Sequence, residues 1–264
     1  MQLGIRTGVL GRVTPEESAR LAAEAGLDGV QIALDHGGIE RRSPDELTPD
    51  ACAQIRETYE SRGLQVYALS AYTDLGVADE RRRSRQVEHF RGLMPLARHL
   101  GTNVLVTDAG ARGIGAYERA VETMRRLMPS AHEQDVLIAL EPSYAQSICC
   151  SEKARTFIEE VGYNRLKVLI DPANILVYDS LDRMFSLLGE FILFGHAKDV
   201  IVDDAGNPTF PPAGQGKMDY HRYVELLLAH KVDTLIVEYV TPEALHPTLD
   251  FLRGVIAEVE GSGR

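Results

Sequence analysis

Four ionisable residues recur at one kind of position. Glu141 ends VLIALE (136–141), Asp171 ends KVLID (167–171), His196 ends ILFGH (192–196), and Glu238 lies in TLIVEY (234–239). If these apolar runs are neighbouring parallel strands, their C-terminal ends meet at one mouth, where barrel enzymes keep their reactive groups. Three carboxylates and an imidazole, with no sulfur, suit Mn²⁺, Mg²⁺, Co²⁺ or Zn²⁺, and the carboxylate share tilts the choice toward Mn²⁺ or Mg²⁺. Any one of the four, taken alone, reads as a strand end meeting solvent, and Glu141-Pro142 or Asp171-Pro172 as a turn. Four at equivalent places are harder to dismiss. Clustered carboxylates repel, and burying each is costly unless a cation neutralises them.

The elements that must position them follow from the pattern of the chain. Eight short runs rich in Val, Ile and Leu (3–7, 29–34, 65–70, 103–107, 136–141, 167–171, 192–196 and 234–239) are nearly continuous rather than alternating. Strands buried on both faces of a parallel sheet read this way. Helical segments lie between them. Thr14-Pro15-Glu16-Glu17, Thr48-Pro49-Asp50 and Thr241-Pro242-Glu243 each place a capping hydroxyl before proline and acids. Ser151 opens another helix and Gly162 closes it. Strict alternation predicts an α/β fold. The Gly-rich turns of an open doubly wound sheet, GxGxxG and GxxxxGK[ST], are absent. Eight units without a linker fit a (β/α)8 TIM barrel spanning 1–264 as a single domain. The Pro/Gly-rich segment 200–216 is expected to be an active-site wall or lid.

Bulk properties exclude other classes. With 28 basic against 39 acidic residues the formal charge is −11, a field that repels phosphate backbones and anionic membranes. Only RRSPDE (41–46) and Glu80-Arg81-Arg82-Arg83 are locally basic, and both read as solvated helix flanks. Cys52, Cys149 and Cys150 cannot build a disulfide framework or a CxxC zinc site, so reduced thiols are expected. No apolar stretch reaches membrane-spanning length and no signal-peptide core is present, which makes a soluble cytoplasmic protein the expectation. The outer helices of such a barrel offer faces on which copies could pair as a homo-oligomer.

ALEPS, LIDPAN, GHAKD and VEYV resemble the motifs of the xylose isomerase-like barrels, the sugar phosphate isomerase/epimerase family, along essentially the whole chain. The resemblance implies one divalent ion on Glu141, Asp171, His196 and Glu238, and a small sugar or sugar-like substrate. In ketose 3-epimerase members the two glutamates also serve as the acid/base pair, which implies that role for Glu141 and Glu238. The implied reaction is proton abstraction next to a carbonyl through a stabilised enediolate. Two positions depart from the epimerase pattern: Asn174 stands where a His is common, and Val202 where an Arg is. The Glu-Pro after strand five is seen in hydroxypyruvate-isomerase-like members. β-Elimination on an inosose or a 3-oxo-glycoside by a metal-dependent lyase is the competing reading. A non-catalytic sugar-binding or partner-subunit barrel ranks below it. Last comes the abasic-site endonuclease branch, whose extra histidines are missing.

Further residues are expected at the mouth. Lys198, beside Asp199, either holds a substrate oxygen or forms a surface ion pair. His36, just past strand two, is a proton carrier, a substrate contact or a solvent-exposed residue. Arg6, Tyr72 and Asp108 end or follow strands one, three and four, and each either faces the cavity or braces a loop. Gly110 to Gly115 form an anion-binding nest or a plain loop. His89, His99, His132, His221, His230 and His246 fall in helices or at their ends, as surface residues.

Overall fold

The computed structural model describes residues 1–33 and 47–262. His36 and the basic stretch at 41–46 lie outside the described residues. Seven strands come first: β1 (Gln2–Arg6), β2 (Gly29–Ala33), β3 (Gln65–Ser70), β4 (Val104–Thr107), β5 (Leu137–Leu140), β6 (Leu166–Ile170) and β7 (Ile192–Ala197). An antiparallel hairpin of β8 (Ile201–Val202) and β9 (Pro208–Thr209) follows, and then β10 (Thr234–Val237). All but the hairpin close into one parallel barrel in chain order, with β1 sealed against β10 by pairing Gln2 with Thr234 through Ile5 with Val237. The single-domain TIM barrel expected from the sequence is the fold observed.

Outside lie α1 (Pro15–Glu24), α2 (Pro49–Glu60), α3 (Glu80–His99), α4 (Ala116–Glu133) and α5 (Ser151–Val161). A single turn, α6 (Pro172–Ile175), precedes α7 (Leu181–Leu188), α8 (Tyr220–Ala229) and α9 (Pro242–Ser262). The capping hydroxyls work as their sequence context predicts: Thr14 accepts from the Glu17 amide, Thr48 from Ala51 and Thr241 from Ala244. Gly162 ends α5 with φ of 74°, in the left-handed region that glycine enters freely. The expectation of a solvated flank fails at Arg83. That side chain is buried, donates to the Val77 carbonyl and pairs with Glu80 and Glu122, its long stem filling space between α3 and α4. Among the described residues no helix is long and apolar enough to cross a membrane.

Strand parity decides what the barrel holds. Successive side chains point to opposite faces. Ile138, Leu140, Val168, Ile170, Leu235 and Val237 pack outward in the large core shared with the helices. Ala139, Leu169, Phe194 and Ile236 join Ala68, Val104 and Val106 in a second, separate cluster that fills the barrel interior. Two residues beyond these interior positions come Glu141, Asp171, His196 and Glu238, so the same parity turns all four into the lumen. At the opposite end the Tyr67 ring lies against Gly29. A Cβ there would sit 2.5 Å from the Gln65 carbonyl and 2.6 Å from the Tyr67 ring. The carbonyl belongs to the β2–β3 ladder and cannot retreat. Gly29→Ala is therefore expected to destabilise the chain by about 1–3 kcal/mol, read as a lower denaturation midpoint at unchanged slope.

Candidate metal centre and active site

Each strand end delivers its side chain through local backbone ties. The Glu141 amide still bonds the Thr107 carbonyl of β4 at 2.8 Å, and the Glu238 amide bonds the Ala197 carbonyl of β7 at 3.3 Å. Asp171 is held between β6 and the proline that starts α6. One ligand atom from each of Glu141, Asp171, His196 and Glu238 lies within 4.8 Å of the others, and all four residues are buried.

The donor set fits a divalent cation. His196 Nδ1 is 3.4 Å from Glu238 Oε2, 3.6 Å from Glu141 Oε1 and 4.0 Å from Asp171 Oδ2. These separations exceed hydrogen bonds, and they match the roughly 3–4 Å between ligand atoms that bonds of about 2.1 Å to one ion impose. His196 Nδ1 and Asp171 Oδ1 are buried with no hydrogen-bond partner, which a cation would supply. The imidazole is oriented from behind. His196 Nε2 lies 2.9 Å from Gln31 Oε1, and Gln31 Nε2 donates to Ser70 Oγ at 3.0 Å. With its amide nitrogen committed to Ser70, Gln31 offers only its oxygen, so Nε2 carries a proton and Nδ1 is the nitrogen that faces the carboxylates, free to bind a cation once its own proton leaves. Gln31→Leu is expected to weaken divalent-metal binding about 10–100-fold, measurable by competition with a chromogenic chelator.

Lys198 is where the sequence left two readings open, and the surface ion pair is not what forms. The side chain is buried; its Nζ lies 2.8 Å from Asp171 Oδ2 and donates to Glu238 Oε1 at 2.9 Å and Asn174 Oδ1 at 2.8 Å. Burial disfavours its charge, but Asp171 and Glu238 outweigh that and raise its pKa above the ordinary lysine range. Its neighbour Asp199 points away and accepts from the amides of Val200, Gly214 and Met218, pinning both ends of the loop that contains the hairpin. That segment, 200–216, brings Phe210 and Pro212 to a cavity of about 490 Å³ that Glu238 also lines.

The two glutamates differ. Both oxygens of Glu141 are engaged: Asn174 Nδ2 donates to Oε1 at 2.7 Å, and the Tyr72 hydroxyl makes a short hydrogen bond to Oε2. Tyr72 stays a phenol because burial, and then the charges of Glu141 and Glu238, push its pKa well above 10. Glu238 meets Lys198 and also opens onto the cavity. Burial raises its pKa most, yet Lys198 and His196 together carry it well below the usual carboxylate range.

The remaining expected residues divide. Arg6 lies on the cavity wall with its guanidinium 5.5 Å from the Tyr72 ring centroid. Asp108 takes the loop-bracing alternative: it accepts from the Gly110 amide and from Gln146 Nε2, tying the loop after β4 to the one after β5. In the 110–115 segment Gly110 and Gly115 have left-handed φ of 80° and 67°, while Arg112 reaches across to the Gln146 and Tyr144 carbonyls. His89, His99, His132, His221, His230 and His246 are exposed, on the outer helices or at their ends. Sequence reasoning missed Gln31, Phe210 and Tyr239. A glutamine inside the apolar run GVQIAL was a readable signal, since a buried amide demands partners. Tyr239 carries no such mark, and its left-handed φ of 54° shows only in the fold.

Comparison with known proteins agrees with this fold. The model of the xylose isomerase-like TIM barrel family matches residues 19–255, and the chain belongs to that family. No protein of curated function matches the sequence. Among solved structures, D-psicose 3-epimerase in the presence of D-fructose superposes with a TM-score of 0.77 at 16% identity, covering 97% of this chain and 99% of that one. A probable 3-DHS dehydratase, AsbF, from Bacillus anthracis gives 0.79 at 17% identity over 96% and 99%. The IOLI protein with a zinc atom gives 0.79 at 18% over 98% of each chain. At such identities the likeness establishes the fold, and the reaction must be argued from the site.

Proposed function

We propose that the chain is a divalent-metal-dependent sugar isomerase or epimerase that abstracts a proton next to a carbonyl. The observation that carries this reading is the buried convergence of three carboxylates on an imidazole nitrogen that has no other partner. Glu141, Asp171, His196 and Glu238 would hold the ion, with Mn²⁺ or Mg²⁺ favoured by the oxygen-rich set. Bound there, it supplies the Lewis acidity that makes a neighbouring C–H bond acidic. Glu238, the carboxylate that faces the cavity, removes the proton. Glu141 returns it, on the opposite face for epimerisation or at the adjoining carbon for isomerisation. Lys198, its three protons committed to Asn174, Asp171 and Glu238, holds these side chains in register and offsets their charge, and Arg6 lines the approach.

A second reading has its own support. Asn174, which carries no titratable proton, occupies Glu141 Oε1 where a histidine could relay one, so a carbanion formed by Glu238 would lead instead to β-elimination on an inosose or 3-oxo-glycoside. Proton NMR in D₂O separates the two. Deuterium entering a substrate whose skeleton is retained supports the isomerase or epimerase, and loss of water or aglycone supports the lyase. Undiminished activity in both Glu141→Gln and Glu238→Gln rejects the assignment.

A further inference from the structure

The cavity beside Glu238 has walls of a different character from the ion-binding cluster. Val9, Phe210, Pro212, Tyr239 and Val240 line it together with Arg6 and Thr241, and among the described residues Glu238 is the one carboxylate on its lining. At about 30 Å³ per water its 490 Å³ would hold roughly sixteen waters, more space than the twelve heavy atoms of a hexose fill. A sugar reacting at Glu238 must also reach toward the cluster, which leaves much of this space for something attached to it.

Two aromatic rings furnish the wall. Phe210 and Tyr239 meet edge to face with centroids 5.8 Å apart, and Phe210 is backed by Tyr144 at 6.0 Å. The ammonium of Lys198, itself tethered by Glu238 and Asn174, lies 4.9 Å from the Phe210 centroid and 4.7 Å from that of Tyr239. A pinned cation and an edge-to-face contact hold the rings in place before any ligand arrives. Tyr239 is nevertheless 61% exposed and sits at φ of 54°, a region that bulky side chains rarely enter. Little of its ring is buried by the fold in return. A strained, exposed aromatic residue adjoining a reactive carboxylate is explained by a ligand that covers it.

We propose that the substrate is a sugar carrying a second ring, aryl or glycosyl, which stacks on Phe210 and Tyr239 while the reacting carbon faces Glu238. The claim rests on the reading of Glu238 as a substrate-facing base, and binding tests it separately from turnover. Isothermal titration of the full chain with phenyl β-glucoside, cellobiose and glucose is the experiment. At least one two-ring ligand is expected to bind ten or more times more tightly than glucose, and which one does so assigns the ring as aryl or glycosyl. Phe210→Ala and Tyr239→Asn should each erase most of that advantage; Asn tolerates the left-handed backbone, so the second variant keeps the fold. Equal binding of all three ligands, no binding by any, or an advantage that survives both variants overturns the proposal. A ring preference that persists where no deuterium exchange occurs would instead sink the catalytic reading and leave the subsite standing.

Discussion

Glu238→Gln is expected to lower the rate of solvent-deuterium incorporation by about a thousandfold, and excess metal should not restore it. A positioned base contributes 10²–10⁴-fold, and an amide in its place cannot accept the proton. Glu141→Gln should behave differently. Each oxygen of Glu141 also accepts one hydrogen bond, from Tyr72 or Asn174, and the residue lies off the wall of this cavity, so its replacement removes both the returning acid and a ligand of the ion. Part of that loss should return when the metal concentration is raised. Steady-state rates for both variants across a metal titration make the comparison. Equal, fully recoverable losses would mean that neither glutamate touches the reacting carbon.

The contrast between the glutamates was not visible in the sequence, although their position was. Parity explains both facts. Near-continuous apolar runs reveal which segments are strands, and the strand ends fall two residues beyond Ala139, Leu169, Phe194 and Ile236, all inward-facing. Counting by twos places Glu141, Asp171, His196 and Glu238 in the lumen without coordinates. The same count places Arg6, Tyr72 and Asp108 there, but the Asp108 side chain is captured by the Gly110 amide and Gln146. Parity sets the direction in which a side chain leaves the strand, and the loop beyond decides what it meets. Gln31 was overlooked because it lies inside β2, two residues short of its end, where attention to terminal residues does not reach. Lys198 and the Phe210–Tyr239 pair depend on how the long loop after β7 folds back. That fold is set by Asp199 gathering the amides of Val200 and of the distant Gly214 and Met218, a contact that no local pattern announces.

Metal affinity should climb steeply with pH, because binding must displace protons that the metal-free site holds. Burial raises the pKa of Asp171 from 3.8 to about 7, Lys198 offsetting part of the effect. Burial alone would depress His196, but Glu238 and Glu141 raise it from 6.5 to about 10. A cation requires both groups deprotonated. Below pH 7 two protons must leave and between 7 and 10 only one, so the logarithm of the affinity should rise about two per pH unit and then about one. The metal-free fold responds in the opposite sense. His196 stabilises it fully below pH 6.5, and that contribution is lost as pH rises through 10. Asp171 prefers its neutral form in the folded chain, so stability also falls as pH rises from 3.8 to 7. Chelation should therefore lower the melting temperature more at pH 9 than at pH 6. A hundredfold excess of metal over its dissociation constant contributes about 2.7 kcal/mol, roughly 5–10 °C for a chain of this size. Melting curves with and without chelator at the two pH values measure the difference. An affinity that ignores pH, or a melting point indifferent to chelation, would remove Asp171 and His196 from any role in holding the ion.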